Sequence, residues 1–545
     1  MTDVAERVKS NLLDFEMNEQ GHRRNQSRAW LIALVCISVT SVSVYLVTFF
    51  LDSASSPGVS LMDLLCGPGA RQALANMPEV IAGVLGITIT VVAIIVELAS
   101  NRYTPRVTDL FVKSPANVMI LGFFVVTGLL CIWVSLTAVS PHFIPVVGTS
   151  VTVVAISICL LILLPYFAFV FNFLDPHNII EHMGNATFKA IHRGKRARKV
   201  QRQAGKRASI VGIEQLADVA LNAIEHKDKG ICMHAVDTLG KLARDYFTIK
   251  GRMPDDWFVM TPDVVENPDF VSMQAEVLRE MERKRFWFEM KILRQYQMLY
   301  GETLNKMRDI NYLIAINTRK LAEEEMGAGE ERTASLGVKF FNTYLRATIN
   351  GRDVRTAYNV LNQYRLLAET ALRKGRYDIV LEAAKRFQYY GQLGFALGLP
   401  FVLETTAYDL CTLNEIAFDL DALCQRELLA VFLEVDKEAE EGHEFEASLR
   451  GVRKAQVKLA TYYLTHGAED LARTIYEDMK GELPARLASI REELAGITSK
   501  EFWEVSDRGG NFDYLEPERR AVLPNFFGWF NQGGKDAAVG PVRGA

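Results

Sequence analysis

Apolar residues gather into four long runs in the first third of the chain: Trp30–Leu51, Val80–Ala99, Asn117–Ala138 and Val147–Leu174. Each is long enough for a helix to cross ~30 Å of hydrocarbon. In that medium every backbone N–H and C=O must be satisfied within its own segment, so the runs predict four membrane-spanning helices. Beyond Asp175 the pattern changes. Apolar residues recur at helical spacing among many charges, for example Leu216, Val219, Ala220 and Ala223, and predict amphipathic helices. The fold class is therefore all-α, with a four-helix transmembrane domain followed by a large cytoplasmic α-helical domain.

This patterning divides the chain into six parts. They are a cytoplasmic N-terminal segment (1–27), the transmembrane domain (28–175) and a juxtamembrane helical region (176–250), then a loop with one or two long helices (251–330), a helical hairpin domain (331–496), and an aromatic arm with a flexible tail (497–545). Two hairpins resemble tetratricopeptide units: Gly375 is followed by Tyr377, Val380 and Ala384, and Gly467 by Ala472 and Tyr476. Their separation fits no regular array, so generic helical hairpins are an equal reading.

Charge sets the orientation. Arg23, Arg24 and Arg28 precede the first run; Arg102, Arg106 and Lys113 lie between the second and third; a basic stretch from His192 to Arg207 follows the fourth. The other two loops hold Arg71 as their one Lys or Arg. By the positive-inside rule both termini are cytoplasmic. The basic stretch lies at a membrane exit without interleaved aromatics. Arg193, Lys195, Arg196, Arg198 and Lys199 are therefore expected to meet lipid head groups, and no nucleic-acid partner is expected.

The second run carries a stripe. Glu79, Gly83, Gly86, Thr90, Ala93 and Glu97 follow each other at spacings of 4, 3, 4, 3 and 4, which keeps them on one helix face. Small residues let transmembrane helices approach closely, so one reading is a packing seam. The other is a wetted, cation-favouring path with a carboxylate at each end.

The segment Glu97-Leu-Ala-Ser-Asn-Arg-Tyr-Thr-Pro-Arg106, with Gly122 and Phe123 beyond it, is similar to the signature of an uncharacterised family of bacterial membrane proteins. Gly212-Ile-Glu-Gln-Leu-Ala-Asp218-Val-Ala-Leu-Asn-Ala223 resembles that family's juxtamembrane helix, and Ala235-Val-Asp237-Thr-Leu239 resembles its next one. Between them this chain has Glu225-His-Lys-Asp-Lys-Gly230, where the family has a turn rich in Ser, Pro, Asn and Asp. The resemblance spans about residues 30–250 and implies an inner-membrane location and four spans. It implies no activity.

The carboxy-terminal part is rich in rings: Phe502, Trp503, Phe512, Tyr514, Phe526, Phe527, Trp529 and Phe530. Rings this large are not left in water. The glycines and prolines among them predict an extended arm docked on its own domain or on a neighbouring subunit. Chemical motifs are absent. His177-Asn-Ile-Ile-Glu181-His182 misses the zinc-helix spacings, Cys232-Met-His234 has no further ligand nearby, and no phosphate loop or nucleophile elbow occurs. No catalytic residue, cofactor or metal is expected. Expected partners are lipids, further copies of the chain and a cytoplasmic protein.

Overall fold

The computed structural model describes residues 68–102, 111–112, 114–138, 146–194, 199–327, 334–436, 446–502, 508 and 510–536. Among these residues all regular structure is helical. The chain divides into two compact units, one ending at Ile179 and the other beginning at Ile180.

In the first unit, α1 (Pro68–Arg102), α2 (Pro115–Ala138) and α3 (Val146–Phe173) are the three described helices long and apolar enough to cross a membrane. They answer to the second, third and fourth apolar runs. The first run, Trp30–Leu51, lies outside the described residues. Helix α1 packs on α2, and α2 on α3. Ile81, Phe124, Cys131, Ile156 and Cys159 form the shared core. Polar groups in this core are satisfied locally: Thr88 Oγ1 donates to Val84 O at 2.7 Å, and Tyr166 OH donates to Asn117 Oδ1 at 2.7 Å. Outward-facing Ile87, Met119, Trp133, Leu136 and Phe171 are each more than half exposed. An apolar rim this wide is costly in water and costs nothing against lipid tails. Pro165 sits inside the unbroken α3. Asp175 ends that span's exit by accepting from His177 N at 2.9 Å, and α4 (Pro176–Gly194) begins there.

The second unit continues through α5 (Lys199–Glu225) and α6 (Lys229–Lys250). The proline- and aspartate-rich segment after α6 holds a single 3₁₀ turn, Asp255–Trp257, and the short α7 (Pro262–Val265). Residues 271–326 form three helices, not one or two: α8 (Ala275–Arg283), α9 (Trp287–Thr303) and α10 (Arg308–Gly327). The breaks fall at Arg285 and Asn305, whose φ values are 57° and 61°. A left-handed residue ends a helix whether or not it is glycine.

Beyond α10 come α11 (Ala334–Asn350), α12 (Val354–Arg373), α13 (Tyr377–Ala396), α14 (Pro400–Asp419), α15 (Gln425–Leu433), α16 (Glu446–Thr465), α17 (Glu469–Met479), α18 (Pro484–Gly496) and α19 (Pro517–Asp536). Most pack on their chain neighbours. The turn at Gly375 (φ 68°) closes with Arg376 N donating to Ala371 O at 2.9 Å; that at Gly467 (φ 77°) closes with Ala468 N donating to Tyr463 O at 2.9 Å. The same bond closes the turns at Lys227, Arg285, Arg352 and Asp421, which also have positive φ. A common Schellman closure thus joins helices whose sequences share no repeat.

Candidate functional site

Helix α1 places the whole stripe on one open face. Glu79, Gly83, Gly86, Thr90, Ala93 and Glu97 are all exposed, whereas Ile81, Thr88, Val92, Val96 and Ala99 are buried. At about 100° per residue the two sets lie on opposite sides of the helix. Ile87, Ile94 and Leu98 flank the stripe on one side and Ile89 on the other, all outward. Among the described residues a Cβ placed on Gly83 or Gly86 would meet nothing within 4 Å. Thr90 turns its hydroxyl back on its own helix, donating to Gly86 O at 2.9 Å. The close approach that small residues permit is therefore not used among the described spans.

The basic stretch splits in two. Arg193 is exposed at the end of α4, while Lys195, Arg196 and Arg198, and the side chain of Lys199, lie outside what the structure describes. The second half grips the proline- and aspartate-rich segment instead. Arg202 pairs with Asp256 and donates to Gly194 O at 3.1 Å; Arg207 pairs with Asp263 at 2.6 Å. Lys206 is buried, donates to Val259 O, and lies 4.7 Å from the centre of the Trp287 ring. Burial lowers its ammonium to a pKa of about 8, against the pull of Glu282 and Asp256. Beneath it Trp287 Nε1 donates to Trp257 O at 3.0 Å, with the two indoles 5.5 Å apart. A small cavity of about 180 Å³ remains between Arg202, Lys206, Asp256, Trp257 and Thr261.

The same segment is tied a second time. Lys291 of α9, 1% exposed, reaches Glu214 at 2.7 Å and Asn267 at 2.8 Å, and also bonds Asp269. Burial, then the charge of Glu214, raises the Asp218 carboxyl above its ordinary value. Glu214 and Asp218 belong to the α5 segment that carries the family resemblance. Sequence reading assigned no role to these pairs. The available signal was the run of aspartates in 255–269, opposite in sign to the basic stretch some fifty residues earlier.

The aromatic arm lies on its own chain. Arg508 donates to Asp409 and to Tyr358 O at 2.8 Å, with its guanidinium 4.2 Å from the Tyr358 ring centre. Phe512 stacks on Tyr408 at 4.7 Å and 12°, and the Tyr408 hydroxyl donates to Asp513. Lys458 donates to Phe512 O at 2.9 Å and to Tyr514 O at 3.1 Å. Arg519 holds Glu415 with two bonds, 2.7 and 3.2 Å. The arm is not extended throughout: Phe526 and Phe527, both buried, and Trp529 and Phe530 sit on α19, which runs through Pro524. Helix packing overrides the local signal of proline and glycine there. Phe502 is 39% exposed, and Trp503 lies outside the described residues.

Among the described residues no group of three His, Cys, Asp or Glu side chains converges to hold a metal. Cys131, Cys159, Cys232, Cys411 and Cys424 are buried and free. Glu181 and His234, singled out separately in the sequence, line one cavity of about 260 Å³ with Asn185, Lys241 and Asp245.

The apolar helices and their lipid-facing rim make this a membrane protein. Residues 26–211 match a family model described as "Predicted membrane protein (DUF2254)". The match covers α1 to α4 and the first half of α5, and ends before the segment that α5 grips. It is an uncharacterised domain of unknown function. No curated protein and no solved structure matches the chain.

Proposed function

We propose that this chain is a homo-oligomeric inner-membrane assembly protein. The Glu79–Glu97 face of α1 forms the seam between copies, and the helical unit is a cytoplasmic protein-binding scaffold. The observation that carries this reading is the openness of Gly83 and Gly86 on a face lying opposite the core. A small-residue stripe has no packing use against lipid, where larger side chains serve better; against another helix it allows backbone approach. The scaffold role is supported by apolar side chains left outward near helical turns, among them Leu397, Phe401, Leu420 and Leu423, the last 89% exposed. The charge pattern favours both termini on the cytoplasmic side.

Gly83→Leu tests the seam. A Cβ at Gly83 meets nothing within 4 Å among the described residues, so folding is expected to persist while the oligomer dissociates, read as subunit mass in nanodiscs. An unchanged oligomer, or a wild-type protein that is monomeric, contradicts the seam. A second reading is conduction along the same face, favoured by the exposure of both Glu79 and Glu97. It expects Glu97→Gln to reduce cation flux in proteoliposomes.

A further inference from the structure

Helices α17, α18 and α19 enclose a half-open cavity of about 500 Å³. Its size falls within the range of small-molecule sites. The inner wall is apolar and partly aromatic: Tyr476, Leu487, Ala488, Phe527 and Phe530 line it. Tyr476 and Phe530 stand edge to face at 4.8 Å, which fixes the ring wall. Lys480, Glu482, Arg491 and Asn531 supply its charged and amide side chains.

The charges are not balanced. Among the described residues Glu482 is the one lining carboxylate, and it is already engaged by Arg453 and Arg486, each at 2.7 Å. Lys480 pairs with Glu477 at 2.7 Å, but both side chains are about 60% exposed, so that pair is weak and can be exchanged. Arg491 is exposed and has no ion-pair or hydrogen-bond partner among the described residues. A guanidinium beside an apolar ring wall suits a planar anion attached to an apolar body.

We propose that this cavity binds an amphipathic anion: a carboxylate or phosphate carried on an aromatic or branched apolar group. The apolar part lies against Tyr476, Leu487 and Phe530, and the anion meets Arg491, with Lys480 turning from Glu477 to join it. Neither the membrane seam nor the scaffold reading requires this site.

The test uses 2-naphthoate as probe, titrated by calorimetry into the full chain in phosphatidylcholine nanodiscs. Saturable binding of one probe per chain is expected. Arg491→Gln is expected to weaken it at least tenfold at unchanged melting temperature, because that side chain is exposed. Ala488→Trp, which fills the cavity, is expected to abolish it, and neutral 2-naphthalenemethanol to bind at least tenfold more weakly than the anion. Absence of saturable binding up to millimolar probe overturns the proposal. So does equal affinity for both probes, or binding indifferent to both substitutions. Repeating the titration in phosphatidylglycerol nanodiscs separates the sources: loss of probe binding identifies an anionic lipid as the ligand, and retained binding a soluble anion.

Discussion

Gly212 faces Thr187 so closely that no side chain fits between them. A Cβ on Gly212 would lie 2.0 Å from Thr187 Oγ1 and 2.9 Å from Thr187 Cβ. Helices α4 and α5 are joined across this contact, and Thr187 Oγ1 is engaged by donation to Met183 O at 2.7 Å. Gly212→Ala is expected to destabilise the helical unit by about 2 kcal/mol, the usual size of core overpacking. Thr187→Ala in the same chain is expected to recover part of that loss. Denaturant unfolding of the two single variants and the double variant checks it; an additive result would mean the two residues do not press on each other.

Glu404 gives the helical unit a pH dependence. Burial, then the charge of Asp513, raises its carboxyl from 4.5 to about 7, against the pull of Lys454. The folded state therefore holds this proton more tightly than the unfolded chain. Its contribution to stability is complete below pH 4.5 and is lost as pH rises through about 7. Glu404→Gln is expected to flatten the fall in melting temperature across that window. An unchanged slope would show that the carboxyl is solvated after all.

One cation and one ring seat the start of the arm. Arg508 lies beside both Tyr358 and Phe512, at 4.2 and 5.8 Å from the ring centres, and bonds Asp409. Phe512→Ala is expected to cost about 2 kcal/mol, less than a fully buried phenylalanine because the ring is half-buried. Limited proteolysis is expected to cut residues 508–516 faster in this variant, with α19 still seated through Phe526. Cutting at the wild-type rate would place the hold on the arm elsewhere.

The sequence made three of the spans legible because hydropathy over twenty residues is a strong signal. It also made the stripe legible, since a 4-3 spacing fixes a face without any knowledge of what lies opposite. Which face was open was not legible: that depends on the volume of Val92 and Val96 against the neighbouring helix, not on the stripe itself. The grip of Arg202, Lys206 and Arg207 on the segment after α6 joins residues about fifty apart, and no local pattern records such pairing. The breaks at Arg285 and Asn305 were invisible for a related reason. A left-handed turn is expected at glycine, and here an arginine and an asparagine adopt it. In the arm, Pro524 suggested an end to the helix, yet Phe526 and Phe527 find enough buried surface to keep α19 whole.

The central claim is the seam along α1. The most direct test is disulfide cross-linking in native membranes, with single cysteines at Gly83, Gly86 or Thr90 in a chain otherwise free of cysteine. Linked dimers are expected at all three stripe positions, and none from Val92→Cys, which lies on the buried face. Monomers at every stripe position, or cross-links formed only with a second cysteine placed in the same chain's Trp30–Leu51 segment, would contradict a seam between copies.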